Sequence, residues 1–221
     1  MPEIFEQASA QFRQVLQVNS SYAKAELGLG LSQLVQGHPD EATQNYLKLQ
    51  SFPGSGKSLA SIALADLALY EGQVRDAIAI LEDGIRQDEE QKRIRAEAIK
   101  LVTLAGAQIS ARHNAEALKS AERALFLEKD EGIAYPAAQV YVRTGHREKA
   151  ADIARSLAQD LAPDSRAYAQ IIQGEISLDT GAIANALKSF QEAQHEADTW
   201  LGRLDLGISL FEVEQAHRSL L

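Results

Sequence analysis

The sequence predicts an all-α protein, a solenoid of stacked antiparallel helix hairpins, and three observations support this. Similar segments recur roughly every 35 residues, each centred on a short turn that usually contains glycine. On either side of each turn, apolar residues follow the i, i+3, i+4, i+7 spacing of an amphipathic helix. Ala, Leu, Gln and Glu, which all favour helices, dominate these segments, whereas no alternating strand pattern is found.

Each predicted element follows from its own residues. Residues 1–21 form half a repeat, because Ile4 to Val18 has the spacing of a second helix without a first one. The full repeats are predicted at residues 22–56, 57–91, 92–130, 131–165 and 166–198. Residues 199–221 form a terminal helix or an incomplete repeat, since Trp200 to Phe211 has the pattern of a first helix. The whole chain, residues 1–221, is therefore predicted to be a single solenoid.

Small residues recur at fixed distances from the turns. The turns of the full repeats fall at Gly37, Gly72, Arg112, Gly145 and Gly181. Before each turn, a small residue lets the first helix approach its partner: Gly30, Ala65, Ala105, Ala138 and Gly174. After each turn, an alanine does the same from the second helix: Ala42, Ala77, Ala117, Ala150 and Ala186. A larger side chain at these alanines would cost about 1–3 kcal/mol in overpacking, so we expect them to tolerate replacement poorly.

Prolines and one insertion refine the predicted helix boundaries. Pro39 and Pro163 are expected to open helices, and Pro136 is expected to fall in the first turn of a helix that begins near Ile133. About six extra residues around Glu90 to Arg95 separate the second repeat from the third. We expect them to lengthen the next helix.

The recurring order of residues resembles the tetratricopeptide repeat family. The first full repeat shows it in Leu29-Gly30, Gly37, Ala42 and Tyr46. The resemblance implies a right-handed superhelix whose first helices line a concave groove. The sequence departs from the family where an aromatic residue usually opens the first helix, because these positions hold Glu26, Ser61, Leu101, Ala134 and Gln170.

Composition excludes several classes of function. The formal net charge is −9, and the basic stretch from Lys92 to Arg95 directly follows Asp88-Glu89-Glu90, so a nucleic-acid partner is not expected. The chain has no cysteine, which excludes disulfides and thiolate metal ligands. No segment has the roughly 18 apolar residues of a membrane span, so no direct membrane insertion is expected and a cytoplasmic location is predicted. The unfinished repeats at both ends are also compatible with a part of a longer protein.

No enzyme, cofactor or metal is predicted. Ser55 to Ser58 resembles the end of a phosphate-binding loop, but a helix precedes it where a strand is needed. His38, His113 and His146 each follow a hairpin turn. Adjacent repeats place such residues roughly 8–10 Å apart, whereas the ligands of one zinc ion lie near 2 Å from it. These histidines are therefore interpreted as solvated turn residues.

The resemblance implies where a partner would bind. The side chains predicted to contact it lie on the inward sides of the first helices: Leu27, Leu31, Ile62, Asp66, Tyr70, Val102, Tyr135, Gln139, Arg143, Ile171 and Glu175. Some family members grip a carboxylate with Lys, Asn and Arg, and the corresponding positions here hold Leu27, Leu31, Ala63, Ile99 and Thr103. The predicted ligand is therefore an apolar or amphipathic helical segment, anchored near Leu31, Ile62, Tyr70 and Val102. The alternative interpretation is that several of these leucines pack between adjacent helices.

Three functions remain open from the sequence. The first is a non-catalytic scaffold or adaptor that binds a protein segment in its groove. The second is a regulatory or assembly module of a longer multidomain protein. The third is homo-oligomerisation, in which the terminal helices around Phe12 and Phe211 stack on those of another copy.

Overall fold

The structure is a computed structural model that describes residues 2–199 and 203–207. These residues form eleven α-helices and no strand, and residues 203–207 are also helical. The chain divides into two compact units, Met1–Ala111 and Arg112–Leu221. The predicted fold class, an all-α array of stacked helix hairpins, is confirmed.

The first unit contains α1 to α6. Their bounds are α1 Pro2–Val18, α2 Ala23–Val35, α3 Pro39–Leu49, α4 Gly56–Tyr70, α5 Val74–Glu90 and α6 Ile94–Ser110. Each helix packs against the next along the chain, and the first helices of the hairpins also pack together, α2 with α4 and α4 with α6.

The second unit contains α7 to α11. Their bounds are α7 Asn114–Leu127, α8 Glu131–Arg143, α9 Arg147–Leu157, α10 Pro163–Asp179 and α11 Ile183–Glu196. Consecutive helices again pack together, and α8 also packs against α10. None of the helices in the described residues of either unit is long and apolar enough to cross a lipid bilayer.

The predicted hairpin turns are present and have the backbone conformation that glycine favours. Gly37 has a φ of 83°, and the amide of His38 donates to the carbonyl of Gln33 at 2.9 Å. This bond is typical of a helix end closed by a left-handed residue. Gly72, Gly145 and Gly181 also have positive φ, and Arg112 adopts the same region at 63° in the turn that lacks glycine. The turn therefore keeps the same backbone conformation where arginine replaces glycine.

The small residues around the turns allow close helix contacts, as predicted. The alanines after the turns are fully buried: Ala42, Ala77, Ala117, Ala150 and Ala186. A methyl group on Gly30 would overlap the ring of Tyr46, and one on Gly174 would overlap the ring of Phe190. In both units, a glycine in the first helix of a hairpin thus contacts an aromatic ring from the second helix of the same hairpin.

Two details of the helix boundaries differ from expectation. Helix α8 begins at Glu131, where the Asp130 carboxylate accepts a hydrogen bond from the amide of Gly132 at 3.0 Å. Pro136 therefore lies beyond the first turn, inside the helix, because this cap starts α8 earlier than expected. The extra residues between the second and third repeats lengthen α5 as well as α6, and each has 17 residues.

Candidate protein-binding surface

An apolar strip of the first unit faces solvent. Leu31 on α2 is 56% exposed, and Tyr70 at the end of α4 is 73% exposed. Ile62 and Asp66 precede Tyr70 at intervals of four residues, which places all three on one side of α4. Because α2 and α4 pack directly together, these side chains border one surface. The open face of the first unit is defined by its sequence-predicted residues Leu27, Leu31, Ile62, Asp66 and Tyr70.

Asp66 places a carboxylate within this strip. The side chain reaches solvent, but the surrounding protein removes enough water that burial raises the pKa of its carboxyl group to about 6. Burial, and then the Asp66 charge, raises the pKa of the Tyr46 phenol. The Tyr46 ring packs on Gly30, next to Leu31 in sequence, so the Asp66 charge acts on a side chain that contacts this segment of α2.

On α6 the apolar residue predicted to anchor a partner is not exposed. Val102 is 6% exposed and lies among the buried residues of α6, so it is unavailable as an anchor. Ile99, three residues earlier, is exposed instead. The rotation of α6 about its axis therefore turns Ile99 outward and Val102 inward.

In the second unit, three sequence-predicted residues meet in one hydrogen-bonded cluster. The Tyr135 hydroxyl donates to Glu175 Oε1 at 2.7 Å. The Gln139 amide donates to the same oxygen at 2.8 Å and to the Tyr135 hydroxyl at 2.7 Å. The Tyr168 ring lies 5.2 Å from the Tyr135 ring, centroid to centroid. The cluster therefore connects α8 to α10.

Two of the residues predicted to contact a partner in this unit are buried instead. Ile171 is 0% exposed, and Tyr135 is also buried, both within the apolar core of the unit. They lie inside because the close approach of α8 and α10 covers them. Gln139 and Glu175 are half-buried, whereas Arg143 is exposed. Arg143 is thus the most accessible of the five predicted residues here.

A cavity of about 410 Å³ adjoins this cluster, and three carboxyl groups border it, those of Glu175, Asp179 and Asp205. Burial raises the pKa of Glu175, although the hydrogen bonds from Tyr135 and Gln139 and the charge of Arg143 counteract this. Burial, and then the Glu175 charge, raises the pKa of Asp205 to about 6. The remaining lining residues are Gln139, Val142, Arg143 and Leu178.

A buried charged cluster, which the sequence did not predict, connects α4, α5 and α6. The Lys100 ammonium donates to Asp88 Oδ2 at 2.5 Å and to Ser58 Oγ at 2.8 Å. The Ser58 hydroxyl donates to Asp88 at 2.9 Å, and Arg93 lies 3.6 Å from the other Asp88 oxygen. Lys100 is 1% exposed, and Asp88 and Ser58 are buried. A substrate has no access to the Ser58 hydroxyl, so this cluster is structural.

The histidines lie where the sequence predicts them. His38, His113 and His146 each immediately precede a second helix and are exposed. Within residues 2–199 and 203–207, no group of three or more His, Cys, Asp or Glu side chains could hold a metal ion.

The two ends of the chain carry the residues predicted for self-association. The Phe12 ring packs over Gly28 of α2 and is only partly exposed. Val18, at the end of α1, is largely exposed instead. Trp200 and Phe211 lie outside the described residues.

Comparison with known proteins identifies the same fold. The chain is similar to yeast Tom70 with a TM-score of 0.69 and 19% identity, over 96% of this chain and 44% of that one. It is also similar to a putative kinesin light chain with TPR-like repeats from Podosopora anserina, with a TM-score of 0.62 and 16% identity. That alignment covers 80% of this chain and 94% of the other. The Cut9–Hcn1 hetero-tetramer of the APC/C gives a TM-score of 0.62 at 14% identity, over 93% and 39% of the chains.

The sequence comparisons concern the family. No curated protein matches the chain in sequence. The family model described as tetratricopeptide repeat matches residues 5–56 and 135–199, which together make more than half of the chain. The protein therefore belongs to the tetratricopeptide repeat family.

Proposed function

We propose that this chain is a non-catalytic interaction module, a scaffold or adaptor that binds a peptide or an amphipathic helix of another protein on the open face of the first unit. Tetratricopeptide repeats generally mediate interactions between proteins. The observation that supports this site is the exposure of Leu31 and Tyr70 on two directly packed helices.

The physical reason is the hydrophobic effect. A large apolar side chain gains about 1.5–3 kcal/mol when it is fully removed from water, and exposed apolar patches commonly mark interaction sites. Leu31 and Tyr70 are more than half exposed, so a partner that covers them gains a large part of this free energy. Ile62 and Leu27, which are half-buried beside them, extend the apolar floor.

Taken by itself, the second unit also offers polar side chains that a partner could contact. Arg143 is exposed at the border of the cavity that Glu175 and Asp205 also line. Its guanidinium can donate to a partner's carbonyl or carboxylate groups, whereas Glu175 Oε1 is occupied by Tyr135 and Gln139. Arg143 is the predicted contact residue that remains exposed in this unit.

The test is affinity capture from the source cells with matched variants. Leu31→Asp combined with Tyr70→Asp places charges on the open face, and Leu47→Asp does so on α3, where Leu47 is 47% exposed. We expect the wild type and Leu47→Asp to capture the same protein and the double variant to lose it, with circular dichroism showing equal helix content. Equal capture by all three proteins would refute the open face as the binding site.

Self-association is a second candidate, favoured by the exposed apolar end of the first unit. Val15, Val18 and Tyr22 are all exposed around the turn between α1 and α2. A second copy stacked there would cover them. Sedimentation equilibrium at several concentrations distinguishes the two candidates: self-association predicts a mass that rises with concentration in the wild type and not in Val18→Asp.

A further inference from the structure

We propose that the segment bound on the open face of the first unit is an amphipathic helix that presents a lysine or arginine to Asp66, between apolar side chains that cover Leu31 and Tyr70. This inference rests on the proposed function and specifies the chemistry of its partner.

The position of Asp66 within the strip is the first reason. Ile62 precedes it by one helical turn and Tyr70 follows it by one turn, so the carboxylate lies between two apolar contacts on α4. Helix α4 packs directly against α2, and the Asp66 charge acts on Tyr46, whose ring packs on Gly30 of α2. A partner that covers both Leu31 and Tyr70 therefore also covers Asp66.

The second reason is that no other exposed acidic residue competes with Asp66 on the first helices of the hairpins in this unit. On α2, α4 and α6, which the structure describes in full, it is the only exposed acidic residue. Glu26 is buried on α2, where Lys48 donates to it at 2.8 Å, and Glu97 is buried on α6. Asp66 has no ion pair or hydrogen bond to a side chain within the described part of the chain. Its charge is thus available to a partner.

The third reason is the cost of covering an unpaired carboxylate. The protein already excludes part of the water around Asp66, as its raised pKa reflects. A wholly apolar partner would exclude the rest and leave a buried charge uncompensated, which is unfavourable. A cationic side chain at this point compensates the charge, while its apolar stem packs with Ile62 and Tyr70. Charge complementarity therefore selects an amphipathic partner with a basic residue over a wholly apolar one.

The probe is a phage-displayed library of amphipathic helical peptides whose apolar positions are fixed. Each bordering position, meaning a position next to the apolar side of the peptide helix, can be Lys, Gln or Glu. The full chain is immobilised as wild type, as Asp66→Asn, as Asp66→Lys and as the Leu31→Asp, Tyr70→Asp double variant. Asp66→Asn preserves the shape of the side chain and removes its charge. Circular dichroism and thermal unfolding establish that each variant keeps its helices.

We expect the wild type to select Lys at one bordering position and Asp66→Lys to select Glu at the same position. The peptide selected by the wild type is expected to bind Asp66→Asn about tenfold more weakly or worse, because a charge pair is lost. Peptides that require Leu31 and Tyr70 but show no preference for Lys would overturn the inference and leave the proposed function intact. If no peptide is selected, or the double variant binds the same peptides as the wild type, the proposed function fails and the inference fails with it.

Discussion

Each unit encloses an acidic side chain between helices, but the groups that compensate its charge differ between the two units. In the first unit, Asp88 is fully buried and is neutralised by the Lys100 ammonium at 2.5 Å. In the second unit, Glu175 is only half-buried and accepts hydrogen bonds from the neutral groups of Tyr135 and Gln139. The first arrangement pairs the carboxylate with full positive charges, those of Lys100 and Arg93. In the second, neutral side chains donate to the carboxylate beside a cavity.

The difference determines how each cluster responds to change. Burial lowers the pKa of Lys100, and its hydrogen bond to Asp88 counteracts that effect. Lys100 therefore depends on Asp88, and loss of Lys100 leaves the buried Asp88 with only the longer contact to Arg93. Glu175 has no cation within hydrogen-bonding distance in the described residues, so protonation can relieve its burial. Mutation of one charged residue in the first cluster should therefore lower the stability strongly. In the second cluster, the stability should change modestly with pH.

The largest expected effect is that of Lys100→Met. The substitution leaves the buried Asp88 charge with Arg93 alone, 3.6 Å from its other oxygen, so we expect the free energy of unfolding to fall by about 3 kcal/mol. Urea denaturation followed by circular dichroism measures the change. Asp88→Leu combined with Lys100→Met is expected to recover most of the loss, because neither charge then remains in the core.

Lys149 provides the matched control for this prediction. It pairs with Glu122 at 2.7 Å, but both side chains are half exposed. Lys149→Met should change the urea midpoint little, since water screens exposed ion pairs. Equal destabilisation by Lys100→Met and Lys149→Met would contradict the distinction between buried and exposed pairs.

The turns and the close helix contacts could be predicted from the sequence because they depend on local spacing. A left-handed turn needs a residue that tolerates positive φ, and the recurring glycines show where such turns lie. The position seven residues before a turn meets the second helix of the same hairpin, so a small residue there predicts a close contact. Gly30 with Tyr46 and Gly174 with Phe190 confirm this.

The buried charged cluster could not be predicted in the same way, because it depends on how two repeats join. The extra residues around Glu90 extend α5 and α6, and Lys92 turns the chain between them with a φ of 55°. Only this junction brings Asp88 and Lys100 together. One signal was present: Asp88 continues the buried spacing of Leu81, Gly84 and Ile85 on α5.

The candidate surface was predicted in part. The sequence predicted apolar side chains on the outside of α2 and α4, and Leu31 and Tyr70 are exposed there. It did not distinguish Ile99 from Val102 on α6, since both are apolar and lie three residues apart. Which of them is exposed depends on how α6 rotates against α4 and α5, and such packing is not contained in a local pattern.

The next expected effect compares the packing of the two units. A methyl group added at Gly30 or at Gly174 would overlap Tyr46 or Phe190, respectively. We expect Gly30→Ala and Gly174→Ala each to lower the free energy of unfolding by about 1–3 kcal/mol, as overpacking does. Urea denaturation measures both. Similar losses would show that the units share their apolar packing and differ in their polar clusters.

Gly106 on α6 is the matched control for these substitutions. A methyl group there would meet no atom within 4 Å. Gly106→Ala is therefore expected to stabilise the chain by about 0.5–1 kcal/mol, because alanine favours the helix more than glycine does. If Gly106→Ala lowered the stability as much as Gly174→Ala does, the loss at Gly174 could not be attributed to overlap with Phe190.

The smallest expected effect is the pH response of the second unit. The folded-state pKa values of Glu175 and Asp205 lie above the values of ordinary carboxyl groups, that of Asp205 at about 6. The folded state therefore binds more protons than the unfolded state between pH 7 and pH 5, so this pair should increase stability as the pH falls through about 6. We expect the free energy of unfolding to rise by about 1 kcal/mol, because both groups remain partly exposed and water screens them.

Thermal unfolding at pH 7 and pH 5 measures this gain. The gain should be smaller for Glu175→Gln than for the wild type, since the variant removes the repulsion between Glu175 and Asp205. Glu192→Gln, the same substitution on a solvent-accessible surface of α11, should keep the wild-type response. An undiminished gain in Glu175→Gln would show that the pH response originates elsewhere, with Asp66 as the next carboxyl group to test.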